Sequence, residues 1–219
     1  MSQWDISGCT VKSMDDEGTA GDRRARKARR TREALAEAAC TLVCDRGLKA
    51  VTVEDIADRA DVARRTFSRY FSSKEDAVLD SVRADGDRIN AALRARPADE
   101  APLVAYRNAV DDWLTDDTHP AWHRRPRIFE LMRIAGGEPT LYAAFQHIRV
   151  EAQEDSIRIL AARMGVDDEH DLRPAVLVGA GAGALVAAQS AWVRGSRQDA
   201  LPGIVHAAFA ALTGELPQA

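Results

Sequence analysis

Cysteine, aromatic residues and strand-like stretches are all scarce in this chain. Three cysteines in 219 residues (Cys9, Cys40 and Cys44) are too few to staple a disulfide scaffold. No secretion signal precedes them, so a reducing, cytoplasmic compartment is expected. Aromatics make up 5% of the residues, and no β pattern of alternating apolar and polar residues appears. Enzyme motifs are missing as well: there is no G-x-x-x-x-G-K-[ST] loop, no G-x-S-x-G elbow and no Cys-x-x-Cys pair. Gly179-Ala180-Gly181-Ala182-Gly183 is not a nucleotide loop, because no strand leads into it. Neither a cofactor nor an enzymatic activity is expected.

Two small clusters leave alternatives open. Cys40 and Cys44 lie one helical turn apart, which suits either a redox or soft-metal pair or two small apolar residues on a helix flank. His119 and His123 are four apart and could share a metal. Pro120 follows His119 directly and no third ligand is evident, so a structural or solvent-exposed role competes with that reading.

What is abundant is alanine, arginine and helical periodicity, so an all-α fold is expected. The net charge of −4 argues against nucleic acid if taken alone. Its distribution does not. Residues 21–83 hold 15 Lys and Arg against 11 Asp and Glu, a net +4, and residues 84–219 carry −5. A basic head on an acidic body fits one DNA-contacting domain, although a solvated helix face gives the same asymmetry.

Within that head, Thr52 to Phe71 (T-V-E-D-I-A-D-R-A-D-V-A-R-R-T-F-S-R-Y-F) reads as two short helices joined by a tight turn. Thr52 caps the first, Asp61-Val62-Ala63 makes the turn, and the second carries Phe67 and Phe71 on one face. Its other faces display Arg64, Arg65, Thr66, Ser68, Arg69 and Tyr70, donors suited to phosphates and base edges on a helix slim enough for a major groove. Leu35, Ala38, Ala39, Leu42 and Val43 form the inner face of a preceding helix closed by Gly47. Ser72 and Glu75 stand at capping-box spacing before a linker helix expected over 74–94. Ahead of these lie a tail over 1–22, expected to be disordered, and seven basic residues in the ten from Arg23 to Arg32. That basic run is either a solvated helix start or an arm touching phosphates or the minor groove.

The stretch 52–75 resembles the helix-turn-helix of the TetR family of bacterial repressors. It matches the pattern T-x-x-x-I-A-x-x-A-G-V-S-x-x-T-L-Y-x-H-F-x-S-K-E at Thr52, Ile56, Ala57, Ala60, Val62, Thr66, Phe71, Ser73, Lys74 and Glu75. It departs at Asp61 (family Gly), Ala63 (often Ser) and Ser68 (usually Tyr). Asp tolerates the left-handed conformation such a turn needs. The resemblance implies a three-helix head over 23–83 and a larger helical domain over 84–219 for ligand binding and dimerisation. It assigns base or phosphate contacts to Arg64, Arg65, Thr66 and Arg69, and backbone contacts to Thr52, Ser68, Tyr70 and Lys74.

The body is helical by pattern over 101–115, 120–134, 140–164, 174–193 and 199–212. Residues 174–193 carry no charge for about twenty residues, long enough to raise a membrane span. Their glycine and alanine content, with Gln189 and Ser190 inside, fits a closely packed buried helix better. The family places its late helices in a four-helix bundle between two subunits, which implies a homodimer. Gly179, Gly181 and Gly183 would then permit tight packing within or between subunits. Trp113, Trp122, Phe129, Met132, Tyr142, Phe145 and Trp192 are the expected walls of a ligand cleft, with Arg133, Gln146, Arg149 and Gln189 as polar fixtures. Further likeness to acyl-CoA-responsive members suggests an apolar or acyl ligand. The function implied is a dimeric repressor released from a palindromic DNA operator by a small-molecule effector. A non-specific architectural DNA binder and, more distantly, an all-α enzyme are the rivals.

Overall fold

The computed structural model describes residues 15–195, 197 and 200–214, with side chains from residue 22 onward. No strand occurs among the described residues. They form ten α-helices in order: α1 (Asp15–Arg46), α2 (Val53–Arg59), α3 (Arg64–Tyr70), α4 (Lys74–Val78), α5 (Asp80–Ala95), α6 (Pro102–Thr115), α7 (Ile128–Gly137), α8 (Pro139–Met164), α9 (Arg173–Arg194) and α10 (Leu201–Thr213).

The head folds around α1. Leu35, Ala38, Ala39, Leu42 and Val43 are buried on its inner face against Leu48, Val51, Ile56, Phe67 and Phe71. Gly47 closes α1 at φ +79°, a conformation that only glycine adopts without penalty. The expected tail ends earlier than residue 22. Helical backbone begins at Asp15, and residues 1–14 lie outside the described residues. The basic run therefore belongs to a helix rather than an extended arm. Its last member is turned inward: Arg32 donates to Asp80 Oδ1 from Nε and Nη2 (2.9 and 2.6 Å) and lies 4.8 Å over the Phe71 ring.

Two other elements differ from the periodicity. The linker helix breaks at Leu79 into α4 and α5. Its cap is also shifted by one residue. Ser73 accepts from the Asp76 N–H at 3.0 Å, and Asp76 Oδ2 accepts from Ser72 N and Oγ, so Ser72 and Glu75 do not form the box. The helix expected over 120–134 is a single 3₁₀ turn (Trp122–Arg124) followed by α7. Pro126 lacks an N–H and disfavours helical backbone at Arg125, which is extended at ψ 148°. Arg127 then takes φ +63° before α7 starts.

In the body, α5, α6, α8 and α9 pack side by side and α10 lies along α9. Close approach depends on two glycines. A Cβ on Gly86 would stand 3.2 Å from Ala152 Cβ, and one on Gly181 would meet Tyr106 Cδ1 at 2.7 Å. The three glycines of α9 thus divide. Gly181 serves packing within the chain, while Gly179 and Gly183 face outward, and a Cβ added to either would meet nothing within 4 Å. By length and composition α9 is apolar enough to cross a membrane. One side of it is nevertheless core of the bundle, with Val178, Ala182, Ala188 and Trp192 buried.

Candidate nucleic-acid interface and ligand cleft

Helix α3 is fixed by its apolar side. Phe67 and Phe71 are buried with ring centroids 5.6 Å apart. Ahead of them, Asp61 adopts φ +54° and the Val62 N–H donates to Ala57 O at 3.0 Å, so the turn holds without glycine. Thr52 caps α2 in a reciprocal box: its hydroxyl accepts from Asp55 N (3.1 Å), and its own N–H donates to Asp55 Oδ2 (2.8 Å). The Thr52 hydroxyl, 2.6 Å from Asp55 Oδ2, and the Thr52 N–H together hold the Asp55 carboxyl below its ordinary range.

The residues assigned to DNA do not all present themselves alike. Arg64, Arg65, Ser68 and Arg69 are exposed, while Thr66 and Tyr70 are half-buried. Arg64 pairs with Glu54 at 2.9 Å, and Arg69 lies 5.9 Å over the Tyr70 ring. Lys74 is engaged within the chain. Its ammonium donates to Leu48 O and Val51 O (2.7 and 2.9 Å), tying α4 to the turn before α2. Thr52 likewise has its hydroxyl engaged in the cap.

The body encloses a narrow cleft between α5, α6, α8 and α9, with about 620 Å³ of protein-free space, its mouth included. Trp113, Trp122, Tyr106, Phe145, Arg149 and Gln189 line it together with Val82, Asp85, Ile89 and Asn90 of α5. A second cleft, with about 770 Å³ of protein-free space that includes its open mouth, shares Trp122, Phe145, Arg149, Val186 and Gln189, and adds Met132 and Tyr142. Of the expected ligand residues, Trp113, Trp122, Met132, Tyr142, Phe145, Arg149 and Gln189 come together here. Phe129 instead packs edge-on against the fully buried Trp192 (4.8 Å), and Arg133 is exposed outside both clefts. Gln146 lines neither cleft but accepts from Arg149 Nη1 at 2.8 Å.

The α5 wall is absent from the residues that the sequence pattern nominates, although Asp85 and Asn90 signal it as polar residues on the stripe of Val82, Ile89 and Leu93. Asp85 is 1% exposed. It accepts from the Trp122 N–H (2.5 Å) and from Arg88 Nη1 (2.9 Å), with Arg125 at 3.7 Å. Burial pushes its carboxyl above the ordinary range, against the pull of Arg125, the Trp122 N–H and Arg88. The Trp113 indole Nε1 is buried without a hydrogen bond of normal geometry, but its proximity adds to that pull. Asn90 donates to Ala152 O (3.0 Å) and accepts from Ser156 Oγ (2.6 Å), closing the other end.

His119 and His123 are not brought together as ligands. His119 is exposed beside Asp116, whereas His123 is buried edge-on to Trp113 and Trp122, where burial lowers its pKa to about 4. No metal-holding group of three His, Cys, Asp or Glu occurs among the described residues. Cys40 and Cys44 are half-buried on α1, with Cys44 Sγ 3.8 Å from Arg127 O.

Comparison with known proteins decides the family. The description "Bacterial regulatory proteins, tetR family" matches residues 35–79, and "MftR C-terminal domain" matches residues 100–217. The chain belongs to the TetR family. It is 37% identical over 162 residues to the HTH-type transcriptional regulator TcmR of Streptomyces glaucescens, covering 71% of this chain and 70% of that protein. It is 44% identical over 52 residues to the HTH-type transcriptional repressor KstR2 of Mycolicibacterium smegmatis (strain ATCC 700084 / mc(2)155), or 24% and 25% of the two chains. A solved transcriptional regulator (TerR/AcrR family) from Aquifex aeolicus VF5 aligns over 85% of this chain and 99% of its own, at 14% identity and TM-score 0.49. The protein is thus a TetR-type, sequence-specific transcriptional regulator rather than an enzyme.

Proposed function

We propose that this TetR-family protein is a homodimeric repressor that leaves a palindromic operator when a small molecule enters the body cleft. The observation behind this reading is the segment 122–127, which belongs to both ends of the mechanism. Trp122 walls both clefts, and its N–H is held by Asp85 of α5. Five residues on, Arg127 reaches across to α1 of the head, donating to Asp45 Oδ1 (2.5 Å) and Thr41 O (3.2 Å). A ligand that displaces Trp122 therefore pulls on the support of the DNA-reading helix. It releases DNA to the extent that it prefers the displaced state.

Dimerisation is proposed from the free side of α9. Val176, Gly179, Gly183, Ala187 and Ser190 are exposed at i, i+3, i+4 spacing, and Gly203, Ala207 and Ala211 of α10 are exposed beside them. Val176 is 65% exposed, unusual for a valine on a stripe of small apolar residues. A second copy related by a two-fold axis would cover both helices with the same surface. It would also set two copies of α3 on half-sites ~34–36 Å apart, or further. The Arg65 and Arg69 side chains are the primary contacts in this arrangement, with Arg64, Thr66, Ser68 and Tyr70 beside them. A cytoplasmic location follows from that role.

The test is titration of the protein against its own upstream intergenic DNA, with scrambled DNA as control, across a salt series. A repressor of this kind binds the intergenic DNA orders of magnitude more tightly than the scramble. Equal affinity for both, with a steep salt slope, would instead mark an architectural binder.

A further inference from the structure

We propose that the effector is an organic anion, with one acidic group such as a carboxylate seated on Arg149 and an apolar, ring-bearing body among the aromatic walls of the cleft. This inference rests on the reading of the cleft as the effector site and specifies its ligand.

Arg149 stands at the junction of the two clefts and lines both. Its neighbours are neutral: Gln146 Oε1 accepts from Nη1 at 2.8 Å, and the Phe145 ring lies 5.8 Å away. Among the described residues no carboxylate comes within 4 Å of it. Three other partly buried arginines face carboxylates, whereas Arg163 spends its guanidinium on the carbonyls of Arg96 and Pro97. Arg88 faces Asp85 and Asp116, Arg96 faces Glu100 and Asp112, and Arg127 faces Asp45 and Glu130. A guanidinium half out of water without a counter-charge is unfavourable, and burial lowers the Arg149 pKa accordingly. An anion entering the cleft supplies the missing charge and the planar, two-pronged acceptor that guanidinium fits. The one carboxylate in the wall, Asp85, already has Arg88 and Arg125 against it and so opposes an incoming anion little.

The nature of the body follows from where the rings are. The chain has only 4 Trp, 3 Tyr and 5 Phe, yet Tyr106, Trp113, Trp122, Tyr142 and Phe145 all wall these two narrow clefts. Such surfaces favour stacking against flat or apolar groups.

Isothermal titration calorimetry on the full-length protein with two matched pairs of probes tests this: anthracene-9-carboxylate with its carboxamide, and decanoate with decanamide. The expected result is that the ring acid binds more tightly than its amide by about tenfold or more, the difference a charge-assisted bond makes. Arg149→Gln should erase that preference while leaving amide binding within twofold, and Arg149→Lys should keep part of it. Acid and amide binding alike, with Trp122→Ala weakening both, would overturn the anion and leave the cleft reading intact. An acid preference that survives in Arg149→Gln would equally overturn the seat on Arg149. A preference found only for decanoate would overturn the ring-bearing body. Binding of none of the four probes would overturn the cleft reading as well. Should Arg149→Gln fail to fold, the acid–amide comparison on the unaltered protein still decides the anion, and Arg149→Lys, which should lose part of the preference, decides the seat.

Discussion

Arg127 and Asp45 join body to head: Nη1 of the first donates to Oδ1 of the second at 2.5 Å, across 82 residues of sequence. Arg127 holds left-handed backbone there, at φ +63°, where a residue other than glycine sits at a cost of about 1–2 kcal/mol. Its guanidinium is divided between Asp45, Thr41 O and Glu130, so one strained residue ties α1 to the start of α7.

A double-mutant cycle should expose this tie without knowledge of the effector. Trp122→Ala is expected to alter operator affinity in the presence of Arg127 and to have little further effect in an Arg127→Ala background. The coupling should fall in the range of about 0.5–2 kcal/mol. Additive effects, measured by fluorescence anisotropy, would place the communication elsewhere.

For the reading helix, Arg65→Ala should weaken operator binding by about 1–3 kcal/mol while melting temperature and dimer mass stay unchanged. Lys74→Ala should behave in the opposite way. Because its ammonium holds Leu48 O and Val51 O, the loss should appear first as reduced stability of the head. Paired melting and anisotropy measurements on the two variants separate a contact residue from a supporting one.

At the proposed subunit face, Gly183→Glu adds a side chain into open space, so the isolated chain should fold at least as well. Replacing a mid-helix glycine is worth roughly 0.5–1 kcal/mol in helix propensity. The charge would nevertheless be buried between copies, and sedimentation should find monomers. Gly181→Ala is the contrast. Its Cβ would stand 2.7 Å from the Tyr106 ring, and a loss of about 1–3 kcal/mol in stability is expected.

His123 gives a pH signature. Burial depresses its pKa to about 4 in the fold, against an ordinary value near 6.5. Between those values the unfolded chain binds a proton that the folded chain refuses, so stability falls as pH drops from about 6.5 towards 4 and is unaffected above. The slope is at most about 1.4 kcal/mol per pH unit. His123→Phe keeps a ring between Trp113 and Trp122, and its melting temperature should vary less with pH over that window.

Much of the head is legible in the sequence because its signals are local. The spacing of Leu35, Ala39, Leu42 and Val43, the Thr52 cap and the Asp61 turn each act within a few residues. Boundaries set by chain direction are harder to read. The apolar rhythm of 120–134 continues straight through Pro126, which ends helical backbone at Arg125. The orientation of Lys74 is invisible in sequence because two carbonyls far back in the chain claim its ammonium. Clefts are tertiary objects, so Trp122 and Arg149 can be named as candidates, whereas the α5 wall, Asp85 above all, emerges only once α5 lies against α6 and α8. The three glycines of α9 look equivalent in sequence. Only packing separates Gly181 from the other two.

The most direct measurement is footprinting of the upstream intergenic DNA combined with the mass of the complex. Two copies of the chain should protect a palindrome with half-sites about one helical turn apart or further, and Arg65→Ala should need a roughly 5- to 150-fold higher concentration for the same protection. A single copy bound to DNA, or protection spread without regard to sequence, would contradict the account.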